Sequence, residues 1–207
     1  MQFIYVVKRA DLPVELPHTG IWHIAPSQID FLFSRGFFIE RTHAEEDPEF
    51  KQIIPYCVLL RGKEIFVFRR LQGGGEKRLY DLRSIGVGGH IEPTEYENGN
   101  AWKQIETTAR RELEEEVEIM PECNIALPYC CILNDDSNPV GSVHLGVVYI
   151  FKLPDHTQIR VRETEVMEGN FETLEHIRQE PFEHFESWSR LLLESDYLTS
   201  HASDKIF

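Results

Sequence analysis

Six glutamates fall between Glu106 and Glu118, inside the stretch GGHIEPTEYENGNAWKQIETTARRELEEEVEI that runs from Gly88 to Ile119. Carboxylates at that density do one of two things. They form a solvated acidic face, the commoner fate of an acid-rich helix, or they gather hard oxygen donors around a divalent cation. Helical angle separates the two. At about 100° per residue, Ile105, Ala109, Leu113 and Val117 form an apolar stripe, and Glu112, Glu115 and Glu116 fill an arc of roughly 100° that abuts and partly enters it. Glu114 and Glu118 fall on the opposite side, where water solvates them at little cost. Three acids leaning on an apolar stripe repel one another and resist ionisation unless a cation offsets them. The pattern predicts a divalent metal, and a donor set made only of oxygen selects Mg²⁺ or Mn²⁺.

Such a helix needs strands to position it, and the chain supplies them. Gln2 to Val7 reads as a strand, and Ser27 to Phe33 as a helix capped by Ser27 with Gly36 just past its end. After the polar stretch His43 to Glu49, the β-branched run Ile53 to Leu60, the turn Arg61-Gly62-Lys63 and the alternating run Glu64 to Arg69 read as a hairpin. The glycine-rich loop Gly73 to Gly75 leads to a strand around Leu82 to Val87, and the helical period follows near Lys103 to Val117. Further strands are predicted around Ile125, at Cys130 to Leu133, Val143 to Lys152, Gln158 to Val161 and Gly169 to Phe171. A short helix from Leu174 and an amphipathic helix over Pro181 to Leu198, with Phe182, Phe185, Trp188 and Leu192 on one face, close the chain. Strands around a central helix, with more helix at the end, make an α/β sandwich with a mixed β-sheet. The organisation predicted is an N-terminal elaboration over residues 1–50 and one domain over 51–207, which suits a length of 207 residues.

Composition excludes several functions. A formal charge of −14 argues against binding duplex nucleic acid, where phosphate contacts need a surplus of Lys and Arg. No run of about 18 apolar residues could span a bilayer, and the first residues, MQFIYVVKRADLP, lack the order of a secretory signal, so a cytoplasmic protein is expected. Cys57, Cys123, Cys130 and Cys131 show neither metal-ligand pair spacing nor a dense disulfide pattern, and they read as packing residues.

The acidic stretch resembles the signature of the Nudix hydrolases: a glycine, five residues, a glutamate, seven residues, then Arg-Glu-aliphatic-any-Glu-Glu-any-Gly-aliphatic. Gly89 to Glu95 matches the front half, and Arg111, Glu112, Leu113, Glu115, Glu116 and Ile119 match the back half, over about 31 residues in all. Two features depart from it. Fifteen residues, not seven, separate Glu95 from Arg111, an insertion of eight around Tyr96 to Lys103, and Glu118 stands where the glycine is usual. The insertion is expected in the loop before the helix, where length is tolerated. Without its glycine, the helix is expected to run further. Outside the signature, Gln52 to Tyr56 (QIIPY) and Lys77 to Ile91 (KRLYDLRSIGVGGHI) resemble a branch of predicted Nudix phosphoesterases.

The resemblance implies an α/β/α sandwich and a metal-dependent hydrolase acting on a phosphoanhydride in a nucleoside diphosphate linked to another group. It makes Glu112, Glu115 and Glu116 the metal ligands with the carbonyl of Gly88, and Glu95 and Arg111 the pair that braces loop against helix. Mg²⁺ or Mn²⁺ is the cofactor implied, a nucleotide-type small molecule the partner, and a homodimer is compatible with it. A carboxylate deprotonates the attacking water, either Glu116 or another glutamate of the signature, or one from a later loop such as Glu163 or Glu165.

Weaker candidates surround these. Arg69, Arg70 and Arg78 could contact substrate phosphates, although exposed arginines are more often merely solvated. Gly73 to Gly75 lacks the Lys and Ser or Thr of a phosphate-cradling loop. His90 and His144 read as hydrogen-bonded histidines near strands, and Trp102 and Tyr96 either stack on a base or pin the inserted loop. Two rivals share the fold. A domain that senses a nucleotide or metabolite without hydrolysing it would be expected to lose metal ligands, which this chain keeps. An isomerase would want a proton-transfer residue such as Cys57 or Cys130.

Overall fold

The computed structural model describes residues 1–71, 82–96, 100–121, 129–162, 164–165 and 167–199. In chain order its elements are β1 (Phe3–Lys8), β2 (Thr19–Trp22), α1 (Pro26–Phe33), β3 (Phe37–Glu40), α2 (Arg41–Glu46), β4 (Phe50–Arg61), β5 (Glu64–Arg70), β6 (Arg83–Ser84) and β7 (Gly86–Gly88). There follow α3 (Ala101–Glu116), β8 (Val117–Met120), β9 (Tyr129–Asp135), β10 (His144–Leu153), β11 (Gln158–Val161), β12 (Met167–Thr173), α4 (Leu174–Ile177) and α5 (Ser187–Glu194). None of the described helices is long and apolar enough to cross a membrane.

The apolar run predicted as a strand at Ile53 to Leu60 lies within β4, where Lys51 to Leu60 are all buried. A strand covered on both faces reads as a continuous apolar run, because neither face needs polar side chains. Elsewhere the structure corrects the sequence reading. The polar stretch after His43 overlaps α2, and β2 and β3 are short strands that the sequence did not signal. The strand predicted at Leu82 to Val87 is split into β6 and β7. The closing amphipathic helix is interrupted: it begins only at Ser187, because Phe185 bridges to Arg83 and the Glu186 amide donates to the Arg83 carbonyl at 2.9 Å, and it breaks at Ser195 and Asp196 before Tyr197. The strand around Ile125 and the loop Gly73 to Gly75 lie outside the described residues.

The central helix does not run on past the signature. It stops at Glu116, the chain turns extended, and β8 pairs antiparallel with β11 through Val117 and Val161. The Arg162 amide closes the helix end by donating to the Glu116 carbonyl at 2.9 Å. Glu118 therefore sits in a strand opposite Arg160, where no glycine is needed, and not on the far side of a helix.

The chain forms two compact units, and β4, α3 and β10 contribute residues to both. The first comprises Met1–Tyr56, Gly88–Glu112 and Tyr129–Tyr149. Here β1 lies antiparallel to β3 and to β4, with Val6 opposite Gln52, while β9 lies antiparallel to β2 and β10. Ile4, Val6 and Ala44 pack with Phe37, Ile39 and Phe50 beneath these N-terminal strands. An ion pair between a buried lysine and a partly exposed aspartate adds to that packing: Lys51 Nζ donates to Asp136 at 2.7 Å, to the Gly141 carbonyl at 2.8 Å and to the His144 carbonyl at 3.1 Å. Arg9 grips the same carboxylate through two nitrogens, at 2.8 and 3.1 Å. Burial pushes the Lys51 amine down to about 8, partly offset by Asp136. Burial alone would raise Asp136, but the hydrogen bonds and charges of Arg9 and Lys51 outweigh it and hold the carboxyl well below its usual range.

The second unit holds the described parts of 57–87, 113–128 and 150–207. In it β5 pairs antiparallel with β12 along seven residues and with β6. Phe66 packs edge-on against Phe68 and Phe171, at 4.9 and 5.1 Å between ring centres.

Candidate active site

The end of β7 and the loop that follows it hold two glycines, Gly88 and Gly89, that admit no side chain. A Cβ on Gly88 would lie 2.3 Å from the carbonyl oxygen of Pro55, so the loop can touch β4 there only as glycine. A Cβ on Gly89 would lie 2.1 Å from Oε1 of Glu112. The Glu112 carboxylate occupies the space that a side chain at 89 would take, which seats the loop directly on α3.

One guanidinium then ties three segments together. Arg111 Nε donates to Glu95 Oε1 at 2.7 Å, Nη2 to the His90 carbonyl at 2.9 Å, and Nη1 lies 2.8 Å from Glu112 Oε1. The planar fork of arginine reaches several acceptors without reorienting. Glu95 uses its other oxygen to accept from the Glu92 amide at 2.8 Å, closing the turn Pro93–Glu95. The contact inferred for Glu95 and Arg111 is thus present, and Glu112 joins it.

The glutamates of α3 differ in depth. Glu112 is 8% exposed, Glu116 is half-buried, and Glu114 is exposed. Glu115 is also exposed, which departs from the expectation that all three arc residues lean on the core. Helical angle gives the side a residue faces, whereas cover depends on how far neighbouring elements extend along the helix. Gln104 and Thr108, earlier on the same arc, are buried at 1% and 0%.

Glu112, Glu115 and Glu116 offer oxygen alone, the donor type of a hard divalent cation, and the side-chain void at Gly89 brings the loop backbone against a nearly buried carboxylate. The three do not converge: among the described residues, the acid and histidine ligand atoms that lie within 4.8 Å of one another are those of Glu172, His176 and Glu180.

The other predicted residues are placed less uniformly. Arg69 is exposed, lies 3.4 Å from Glu168 and lines a cavity of about 480 Å³ in the second unit with Arg83, Glu172, His176, Glu180 and His184. Arg70 ends β5, and Arg78 and Glu163 are outside the described residues; Glu165 is exposed. Within that cavity Glu172, His176 and Glu180 bring ligand atoms within 4.8 Å of one another, at an i, i+4, i+8 spacing that the sequence carries openly. Arg83 already donates to both carboxylates, so a guanidinium answers their charge.

Both histidines are hydrogen-bonded as expected. His144 Nδ1 is 2.7 Å from the Val140 carbonyl, and His90 Nε2 is 2.8 Å from Gln52 Oε1. Burial, then the charges of Arg41, His144 and Arg111, push His90 down to about 3, so its ring is neutral. The inserted segment is not all loop: Ala101 to Lys103 form the first turn of α3. Trp102 pins that turn, edge-on to Tyr129 at 5.5 Å and tilted against Tyr149 at 5.8 Å, and its amide donates to Asp30 at 2.8 Å. Tyr96 meets Phe38 at 5.9 Å. Sequence reading did not identify Gln52 or Lys51; the signal was a polar pair at the head of an otherwise apolar strand.

No protein-family model matches the chain. The protein YmaB of Bacillus subtilis (strain 168) is 38% identical over 157 residues, 75% of this chain and 76% of that one. The crystal structure of Tm1382, provisionally described as a Nudix hydrolase, superposes with a TM-score of 0.72 at 26% identity, over 93% of this chain and 96% of that one. The chain belongs to the Nudix hydrolase family. Its fold is the α/β Nudix sandwich. Two more distant structures share the fold alone. The NUDIX domain of Shewanella oneidensis NrtR, complexed with ADP ribose, has a TM-score of 0.51 at 16% identity, over 79% of this chain and 98% of that one. A bifunctional NMN adenylyltransferase/ADP ribose pyrophosphatase of Francisella tularensis has 0.52 at 15%, over 74% of this chain and 42% of that one.

Proposed function

We propose that this Nudix protein is a metal-dependent hydrolase that cleaves a phosphoanhydride in a nucleoside diphosphate linked to another group. The observation that carries the reading is the seat of Glu112: nearly buried, filling the void at Gly89 and joined to Arg111 with Glu95 and the loop carbonyl of His90. A nearly buried carboxylate held that firmly suits a hard cation better than it suits solvent. Glu112, Glu115, Glu116 and the Gly88 carbonyl would hold Mg²⁺ or Mn²⁺, which supplies charge neutralisation at the diphosphate and activation of water. Arg111 and Glu95 keep the loop and the helix in register, so the ligands do not need to reorganise when charge develops. Glu116, half-buried on α3, is the carboxylate assigned to take the proton from the attacking water. Arg69, Arg70 and Arg78 are the arginines proposed to contact the substrate phosphates.

Two structures that share the fold handle ADP ribose, which supports a linked nucleoside diphosphate as the substrate class proposed. It is tested by incubating the protein with Mg²⁺ or Mn²⁺ and a panel of ADP-ribose, sugar nucleotides, dinucleoside diphosphates and nucleoside triphosphates, then assaying mononucleotide and phosphate. Release from a linked diphosphate that EDTA abolishes is the expected result. Binding without turnover would favour the sensing domain instead. A rearranged, unhydrolysed product would favour the isomerase, although Cys57 is fully buried and the side chain of Cys130 lies outside the described residues.

A further inference from the structure

We propose that Gln52 is a positioning residue of the active site, holding His90 by its side chain so that the loop Gly88 to Ile91 stays seated on Glu112. The inference rests on the metal-site reading above, and it joins QIIPY, a segment outside the signature, to GVGGHI, where the signature begins.

Gln52 is fully buried on β4 beside an apolar run, and a buried amide is tolerated only when its polar ends are bonded. Its Nε2 donates to the Ala44 carbonyl at 3.3 Å. That orientation leaves Oε1 facing His90 Nε2 at 2.8 Å. An amide oxygen can only accept, so Nε2 of His90 carries the proton and Nδ1 keeps the lone pair. His90 is thereby gripped at both ends, by Gln52 at the ring and by Arg111 Nη2 at its own carbonyl. One residue on, the Tyr5 amide donates to the Ile91 carbonyl at 3.0 Å; two residues back, Gly88 rests on Pro55.

Of these ties, the one between Gln52 and His90 runs between two side chains. It can be cut without touching Arg111, Glu112 or the backbone. Since Glu112 occupies the void at Gly89, a loop that drifts at His90 carries the carboxylate's seat with it. Outer supports of metal ligands commonly change metal affinity by about tenfold or more when removed.

The experiment compares the demetallated full chain with Gln52→Leu, His90→Leu and Ile53→Val, the last a plain packing loss on the same strand. Mn²⁺ alone is the probe, titrated by electron paramagnetic resonance, with thermal melting and nitrogen NMR of labelled histidine alongside. Wild type is expected to show the Nε2–H tautomer at His90. Gln52→Leu should lose that preference and weaken Mn²⁺ binding about tenfold, and His90→Leu, which cuts the same bond from the other end, should weaken it alike if Gln52→Leu does not fold. Ile53→Val should lower the melting temperature and leave Mn²⁺ affinity unchanged. If wild type binds Mn²⁺ and both bond-cutting variants bind equally well, the positioning role is wrong while the metal site stands. An Nδ1–H tautomer in wild type overturns the donor assignment and the proposal with it. If wild type binds no Mn²⁺, the metal-site reading fails and takes this proposal down.

Discussion

Adjacent glycines in the active-site loop should fail in opposite ways when each is changed to alanine. At Gly89 the new methyl would meet the Glu112 carboxylate at 2.1 Å from Oε1 and 2.4 Å from Oε2, whereas ordinary contact begins near 3.4 Å. The carboxylate must retreat by more than about 1 Å, and side-chain torsions allow it because the clash is with the far end of a glutamate. Retreat strains its contact with Arg111, now 2.8 Å, at a cost of about 1 kcal/mol for a charge-assisted bond in a half-exposed setting. The fold should survive. A misplacement of about 1 Å in a positioned group can cost about a hundredfold in rate, or ~2.7 kcal/mol of transition-state stabilisation. At Gly88 the methyl would meet the Pro55 carbonyl oxygen at 2.3 Å, which is backbone of a fully buried strand and cannot step aside. Gly88→Ala should therefore lower the melting temperature sharply, and Gly89→Ala should melt near wild type with metal-dependent turnover down about a hundredfold. Melting curves and steady-state hydrolysis at matched Mg²⁺ distinguish them. A folded Gly89→Ala with wild-type turnover would refute the reasoning, because the seat of Glu112 would then be irrelevant to catalysis.

On α3, Glu116→Gln should cut turnover about a hundredfold while stability without metal holds or rises, since a like charge is removed; Glu114→Gln, exposed, should leave turnover unchanged and stability within about 0.5 kcal/mol. Equal effects on turnover would show α3 to be only an acidic surface. Lys51→Met leaves two carbonyls short of a donor while Arg9 still holds Asp136, and chemical denaturation should report a loss of about 2 kcal/mol. Asp136 has a folded-state pKa below its unfolded value, so its contribution is complete above about pH 4 and lost as pH falls below that. Asp136→Asn should flatten the acid limb of the stability curve, and an unchanged limb would exclude the pair as its source. Trp102→Ala removes two aromatic contacts at the head of α3 and should cost about 2 kcal/mol in stability with Mn²⁺ affinity intact, as judged by metal titration.

The sequence by itself determined what local chemistry can encode. The 3.6-residue period placed Glu112 against the apolar stripe and Glu114 away from it, and the signature paired Glu95 with Arg111 across an insertion, which the structure joins at 2.7 Å. The buried strand β4 was legible too, because a strand covered on both faces has little option but an apolar run. What escaped depends on neighbours distant along the chain. Val117 continues the helical stripe in phase, yet it is extended, because β11 offers a ladder there that no local pattern announces. Glu115 has the angle of a core residue and the exposure of a surface one, since periodicity fixes direction but not how much structure lies in that direction. Gln52 and Lys51 look like interruptions in an apolar strand until His90 and Asp136, 38 and 85 residues away, arrive to satisfy them. A buried polar group is stable only with its partner, and that partner is chosen by the packing of the whole chain.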